Sequence, residues 1–241
     1  MSKICIFIHG YLTNYTDFQG LPKAIMKEYD KVILLTLPGH NHIDSLNLFT
    51  KENVFNYIKN EMDQIKEGNE IDVVGYSLGG ALAWYIALNY KINKLVLLAP
   101  ANYYLNIFLY SDKRKYLKSI KKYDLDTQNK LKDKLRKQEK QALDFVKKHT
   151  YPKFSVKNGF VFCTIINEIN KNKKKINVPL LIVRGDLDEI VPKKSGNTCF
   201  NRCIHENKEM HTIEGIGHLL LRTYEEQHII EIVKQFLNSR E

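Results

Sequence analysis

The chain has 241 residues, 44% hydrophobic and 11% aromatic, which is enough for one well-filled core and excludes a disordered chain or a small disulfide-held scaffold. The formal net charge of +10 is uneven: residues 101–178 hold 20 Lys and Arg against 7 Asp and Glu, a net of +13, and the rest holds 17 against 20, a net of −3. No stretch reaches the ~18 apolar residues of a membrane-spanning helix, and MSKICIFIHGYL lacks the long apolar region of a secretory signal, so a soluble, cytoplasmic protein is expected.

In chain order, Lys3 to Ile8 (KICIFI) is an apolar run ending at His9-Gly10, and Lys31 to Leu37 (KVILLTL) is a second, ending at Pro38-Gly39. Val54, Ile58, Met62 and Ile65 recur at helix spacing, which predicts a surface helix over Lys51 to Lys66 with one buried stripe. Ile71 to Val74 leads into Gly75, and Leu78 to Leu88 (LGGALAWYIAL) is apolar nearly all round, as a buried helix would be. Lys94 to Ala99 ends at Pro100, Pro179 to Val183 ends at Arg184-Gly185, and Glu209 to Ile213 is a further candidate strand. Ile229, Ile232, Val233, Phe236 and Leu237 form the stripe of a last helix. Short apolar runs bounded by Gly and Pro, alternating with helices, predict an α/β fold: a mostly parallel, doubly wound sheet of about six strands.

Residues 102–178 break this rhythm. The segment opens aromatic with Tyr103, Tyr104, Phe108 and Tyr110, becomes Lys-rich and mostly helical through Lys148, then runs through Pro152, Phe154, Phe160 and Phe162. It reads as a helical insertion in a core made of residues 1–101 and 179–241. Its charge suits an anionic surface or simply solvates helix faces. Cys5, Cys163, Cys199 and Cys203 make no C-x-x-C pair, so reduced, partly buried thiols are expected rather than a zinc site.

The strongest chemical signal is Gly75-Tyr76-Ser77-Leu78-Gly79, a G-x-S-x-G sequence between a strand and a buried helix. Such a turn lifts a serine hydroxyl above the sheet edge. The hydroxyl needs a base, and His218 in Gly215-Ile216-Gly217-His218 fits best, on a glycine loop before the last helix. His205 and His211 fall on predicted helix or strand, His149 in the insertion and His228 in the last helix. The imidazole in turn needs an orienting carboxylate. The loop Gly185-Asp186-Leu187-Asp188-Glu189-Ile190-Val191-Pro192 offers three; its G-x-x-D-x-x-V-P pattern favours Asp188, with Asp186 as the alternative.

These residues resemble the α/β-hydrolase superfamily, in particular its small carboxylesterases and monoacylglycerol lipases. The likeness rests on His9-Gly10, Pro38-Gly39-His40, the Ser77 turn, Asp188 and His218, in the chain order Ser, Asp, His. It spans about Lys3 to Ala101 and Pro179 to Glu241, and the insertion stands where that family carries a variable cap. The resemblance implies an oxyanion hole from the backbone N–H groups of Tyr11 and Leu78, with His9 shaping the loop. Asn41-His42 depart from it, since many relatives carry Gly after the Pro-Gly-His. The implied chemistry is ester cleavage through an acyl-enzyme on Ser77, with His218 as base and then acid, and with no metal or organic cofactor. Tyr103, Tyr104 and Phe108 either line an apolar acyl pocket for short to medium acyl esters or monoacylglycerol, or pack the insertion onto the core. The same residues also suit a thioesterase, an amidase, a C–C bond hydrolase or an acyltransferase, and a binding protein on a hydrolase fold is a further alternative. No nucleic-acid-binding motif is present; peripheral contact with an anionic lipid surface is one reading of the basic segment, beside that of solvated helix faces. Nothing in the sequence speaks to oligomeric state.

Overall fold

Along β1 (Lys3–Ile8) successive side chains enter two separate cores: Ile4, Ile6 and Ile8 join one buried cluster, and Cys5 and Phe7 join another. Strand periodicity of two produces this division, and β4 (Lys94–Leu98) repeats it with Leu95 and Leu97 against Val96 and Leu98. The structure, a computed structural model, describes residues 2–40, 46–104, 106–107, 109–150 and 155–239. With β2 (Lys31–Leu35), β3 (Glu70–Tyr76), β5 (Leu180–Gly185) and β6 (Lys208–Ile213), the described strands form a six-stranded sheet in the order β2-β1-β3-β4-β5-β6. Every pairing is parallel. The expected α/β sheet is therefore present, buried on both faces as all-parallel sheets require.

One face is covered by α2 (Lys51–Asp63), α3 (Leu78–Asn89), α6 (Val156–Lys171) and α7 (Lys193–Arg202), the other by α1 (Leu21–Ile25) and α8 (Glu226–Asn238). α3 is apolar on all sides because it lies beneath α6: Trp84 is fully buried, and Ile165, Ile166 and Ile169 of α6 share its cluster. α2 buries Val54, Ile58 and Met62 on one stripe. β2 stops at Leu35, two residues short of the apolar run, because the chain then leaves β1 and the Leu37 N–H is taken by His9 Nε2 at 3.0 Å. His205 lies in neither helix nor strand but in the loop from α7 to β6, where its Nδ1 accepts from Asn207 N–H at 3.0 Å.

Between β4 and β5 the chain also forms α4 (Leu109–Ser119) and α5 (Leu125–Phe145). Their small core joins Tyr116, Ile120 and Leu135 to Leu187 in the loop after β5. Most of α5 faces outward; only Leu135 and Gln138 are buried in it. All four cysteines are free, and three of them, Cys5, Cys199 and Cys203, are buried. Among the described residues no helix is long and apolar enough to cross a membrane.

Candidate active site

The sheet order reverses between β1 and β3, and ligands of open α/β sheets bind in the crevice at such a switch, beyond the carboxyl ends of the strands. Ser77 sits there, between β3 and α3, with φ 54° and ψ −115°. An L-residue adopts that conformation only when its surroundings enforce it. Three backbone hydrogen bonds do so: Ser77 N–H to Leu98 O at 2.9 Å, Ala101 N–H to Ser77 O at 2.9 Å and Ala81 N–H to Ser77 O at 3.2 Å. Gly79 permits the turn, since a Cβ there would lie 1.8 Å from the carbonyl oxygen of Ile8. The serine itself is 8% exposed.

His218 Nε2 lies 3.0 Å from Ser77 Oγ, and His218 Nδ1 lies 2.8 Å from Asp188 Oδ2. The other carboxylate oxygen of Asp188 accepts from the N–H groups of Ile190 at 2.9 Å and Val191 at 2.7 Å, which fixes its plane. Burial alone would depress the His218 imidazole. The charge and hydrogen bond of Asp188, with Glu189 and Asp17 behind, hold it above its ordinary value instead. Asp186 faces elsewhere, accepting from Gly215 N–H at 2.7 Å. Of the two aspartates weighed from the sequence, Asp188 is the one the fold brings to the imidazole. Tyr76 Oη donates to His218 O, a tether between β3 and the His loop that no sequence pattern announces.

The loop after β1 approaches the serine closely: a Cβ on Gly10 would come within 3.4 Å of Ser77 Cβ. The Gly10 carbonyl accepts from His9 Nδ1 at 2.7 Å, with the ring's Nε2 accepting from Leu37 N–H as above. In a trans peptide the N–H points opposite to the C=O, so gripping Gly10 O turns the Tyr11 N–H away from His9. The Leu78 N–H opens α3 and belongs to the first turn, whose donors have no partner inside a helix. Asp17, missed in the sequence, supports this loop. It is 3% exposed, and its Oδ2 accepts from Gly10 N–H at 3.0 Å and from Thr13 Oγ1. Burial raises its carboxyl above the usual range, opposed by Thr13, Gly10, Arg222 and His218.

A cavity of about 700 Å³ opens beside His218, between α5 and the loops carrying Asp188 and His218. Leu135, Ala142, Val146, Leu187 and Leu219 supply apolar wall, and Glu189 and Gln138 supply polar groups. Neither Tyr103 nor Tyr104 lines it. Tyr103 bonds through its N–H to Ser195 Oγ at 3.0 Å and lies under Lys194 Nζ, 4.5 Å from the ring centroid. Tyr104 packs edge-on against Phe162 at 5.3 Å, and Phe162 in turn meets Tyr11 at 5.2 Å. The hydrogen bond with Cys163, with burial behind it, pushes the Tyr104 hydroxyl up to about 12. Phe108 and Asn41-His42 lie outside the described residues.

Known proteins resemble this chain in both sequence and shape. A Mycoplasma pneumoniae protein provisionally named esterase/lipase 2 is 28% identical over 237 residues, covering 88% of this chain and 81% of that one. A Bacillus subtilis protein named carboxylesterase is 21% identical over 98% of this chain and 93% of its own length. The crystal structure of a Paleococcus ferrophilus monoacylglycerol lipase superposes with a TM-score of 0.70 at 17% identity, covering 97% of this chain and 93% of that one, which establishes a shared fold. The family model described as "Serine aminopeptidase, S33" matches residues 1–226, nearly the whole chain. On that match the protein belongs to the serine aminopeptidase, S33, family of α/β hydrolases.

Proposed function

We propose that this hydrolase cleaves carboxylic esters, of short to medium acyl chains or of monoacylglycerol, through an acyl-enzyme on Ser77. One observation carries the reading: hydrogen bonds run unbroken from Ser77 Oγ through His218 to Asp188, at 3.0 and 2.8 Å, beneath a serine held at φ 54°. Ser77 attacks the carbonyl carbon while His218 Nε2 takes its proton. The N–H groups of Leu78 and Tyr11 receive the oxyanion. His218 then protonates the leaving alcohol, and water activated by the same ring releases the acid. The names of the Mycoplasma and Bacillus relatives support ester over other acyl substrates.

In the same reading, α4 and α5 of the insertion act as a cap that roofs the cavity beside His218, while α6 of the same segment packs on α3 in the core. Tyr104, adjoining Tyr11 through Phe162, borders the acyl side, and Tyr103 and Phe108 are kept as substrate contacts on the sequence reading alone. The basic outer face of the cap rests on anionic lipid. A second reading, amide cleavage, is favoured by the family's description as serine aminopeptidases.

The test is labelling with a fluorophosphonate followed by turnover of matched esters, thioesters and aminoacyl amides. Native protein labels with a stoichiometry of about one and prefers the oxygen ester; Ser77→Ala abolishes labelling and His218→Ala slows it by about 10³-fold or more. Folded native protein that stays unlabelled overturns the reading, and faster turnover of the amide replaces it with the second.

A further inference from the structure

Each carboxylate of the loop after β5 takes hold of a different atom of the His loop. Asp186 accepts from Gly215 N–H at 2.7 Å, Asp188 faces His218 Nδ1 at 2.8 Å, and Glu189 Oε2 accepts from the backbone N–H of His218 at 2.9 Å. The third of these has no role in the mechanism above. The carboxylate also lies close against the chain there: a Cβ on Gly217 would lie 2.5 Å from Glu189 Oε2. Glu189 is half-buried and borders the cavity beside His218.

We propose that Glu189 is a positioning residue for His218: it holds the backbone of the base at the depth where the ring spans Ser77 and Asp188, and its charge stabilises the imidazolium formed in acyl transfer. The inference rests on the triad reading and adds a fourth residue to it. A second carboxylate next to Asp188 and withdrawn from water is expensive. Burial and the Asp188 charge both push the Glu189 carboxyl up, and the charge it shares with His218 draws it back down. A neutral side chain would fill the same space at lower cost; a carboxylate does what a neutral group does not, by favouring the charged ring.

The other groups around His218 do not duplicate this role. Asp188 meets the ring at Nδ1, and Asp17 approaches from the loop after β1, held by Gly10 and Thr13. Arg222, on the short helix that follows His218, bonds to Thr16 O at 3.1 Å and stacks on Phe145 at 4.2 Å. Across the cavity Lys113 of α4 and Glu139 of α5 pair with each other at 2.6 Å. Tyr76 Oη holds the opposite end of the same residue, at His218 O.

The experiment measures kcat and KM against pH on a chromogenic ester for native protein, Glu189→Gln and Glu189→Ala, with Ser77→Ala as blank and Trp84 fluorescence reporting the fold. Glutamine keeps an acceptor for the His218 N–H and removes only the charge. Losing a negative neighbour lowers the imidazolium pKa, so the acid limb of kcat/KM moves to lower pH, by roughly half a unit or more. Alanine also removes the anchor, and kcat falls by about 10- to 100-fold with KM within about two-fold of native. Both variants still label at Ser77. A Glu189→Gln profile that superimposes on the native one overturns the proposal, as does an effect confined to KM, which would make Glu189 a substrate contact. Undiminished turnover by Ser77→Ala would overturn the site reading itself and the proposal with it, and that failure is visible without touching Glu189.

Discussion

Ser77 shows how much of the site depends on single backbone positions. Its conformation costs on the order of 1–3 kcal/mol, sustained by hydrogen bonds with the end of β4, the loop that follows it and the first turn of α3. The aspartates show the complementary case, in which identical side chains two residues apart meet different partners. Asp188→Asn would leave the imidazole hydrogen-bonded to an amide that favours the wrong tautomer, and we expect kcat to fall by about 10⁴-fold. Asp186→Asn retains an acceptor for Gly215 N–H and should cost less than about ten-fold. Steady-state kinetics of the two purified variants checks this, and a larger loss in Asp186→Asn would reverse the assignment of the acid. Asp17 was not legible in the sequence because an aspartate seven residues after Gly10 looks like any loop residue. Only the turn of the chain places its carboxylate against the Gly10 N–H in the loop after β1.

The helices are positioned by contacts at their ends as well as along their faces. α8 carries the stripe foreseen from Ile229 to Leu237, with Ile232 only partly buried. Its C-terminus is closed by Lys94, a buried side chain at the start of β4 whose Nζ donates to the carbonyls of Phe236 at 3.1 Å and Leu237 at 3.0 Å and to that of Ser239. The last carbonyls of a helix have no partner within it, and a buried ammonium is tolerated when such acceptors surround it. Lys94→Met should therefore destabilise the fold by about 2–3 kcal/mol while leaving fluorophosphonate labelling of Ser77 intact. Urea unfolding followed by Trp84 fluorescence measures it; an unchanged midpoint would mean the end of α8 contributes nothing. α6 teaches the opposite lesson about sequence. It falls within the segment that broke the strand–helix rhythm, yet Ile165, Ile166 and Ile169 pack on α3 in the main core. Local composition reveals an amphipathic face but not the neighbour that covers it.

At the scale of the whole molecule, charge separates from chemistry. The excess of +13 falls on residues 101–178, and large apolar side chains emerge from the same segment: Ile107 is 81% exposed, Tyr110 82%, and Val156 and Phe160 69% each. Cations interleaved with exposed apolar groups suit an anionic lipid surface, with attraction screened over about 10 Å at 0.1 M salt and about 3 Å at 1 M. Vesicles of phosphatidylcholine with phosphatidylserine should therefore bind the protein at low salt and release it at 1 M, whereas pure phosphatidylcholine should bind it weakly. Binding that ignores both salt and headgroup charge, or no binding at all, would make the basic face merely solvated.

The sequence by itself determined the sheet, the order of its elements and the position of the serine turn. Each of these is written in local pattern: apolar runs with period two or 3.6, and glycines where the chain has no room for a Cβ. Six strands stand where five apolar runs and the candidate strand at Glu209 to Ile213 were read, differing by a residue or two at their ends. The His218 loop was legible for the same reason, through its glycines. The sequence pattern favoured Asp188 over Asp186, and the fold brings Asp188 to the imidazole; the carbonyl grip of His9, the buried Asp17, the Tyr76 tether and the cavity under α5 were decided only by tertiary structure. The Asp188 and Tyr76 contacts with His218 join residues 30 and 142 positions apart, and the shorter-range His9 and Asp17 contacts depend equally on how the loops fold over the top of the sheet, which no local pattern encodes.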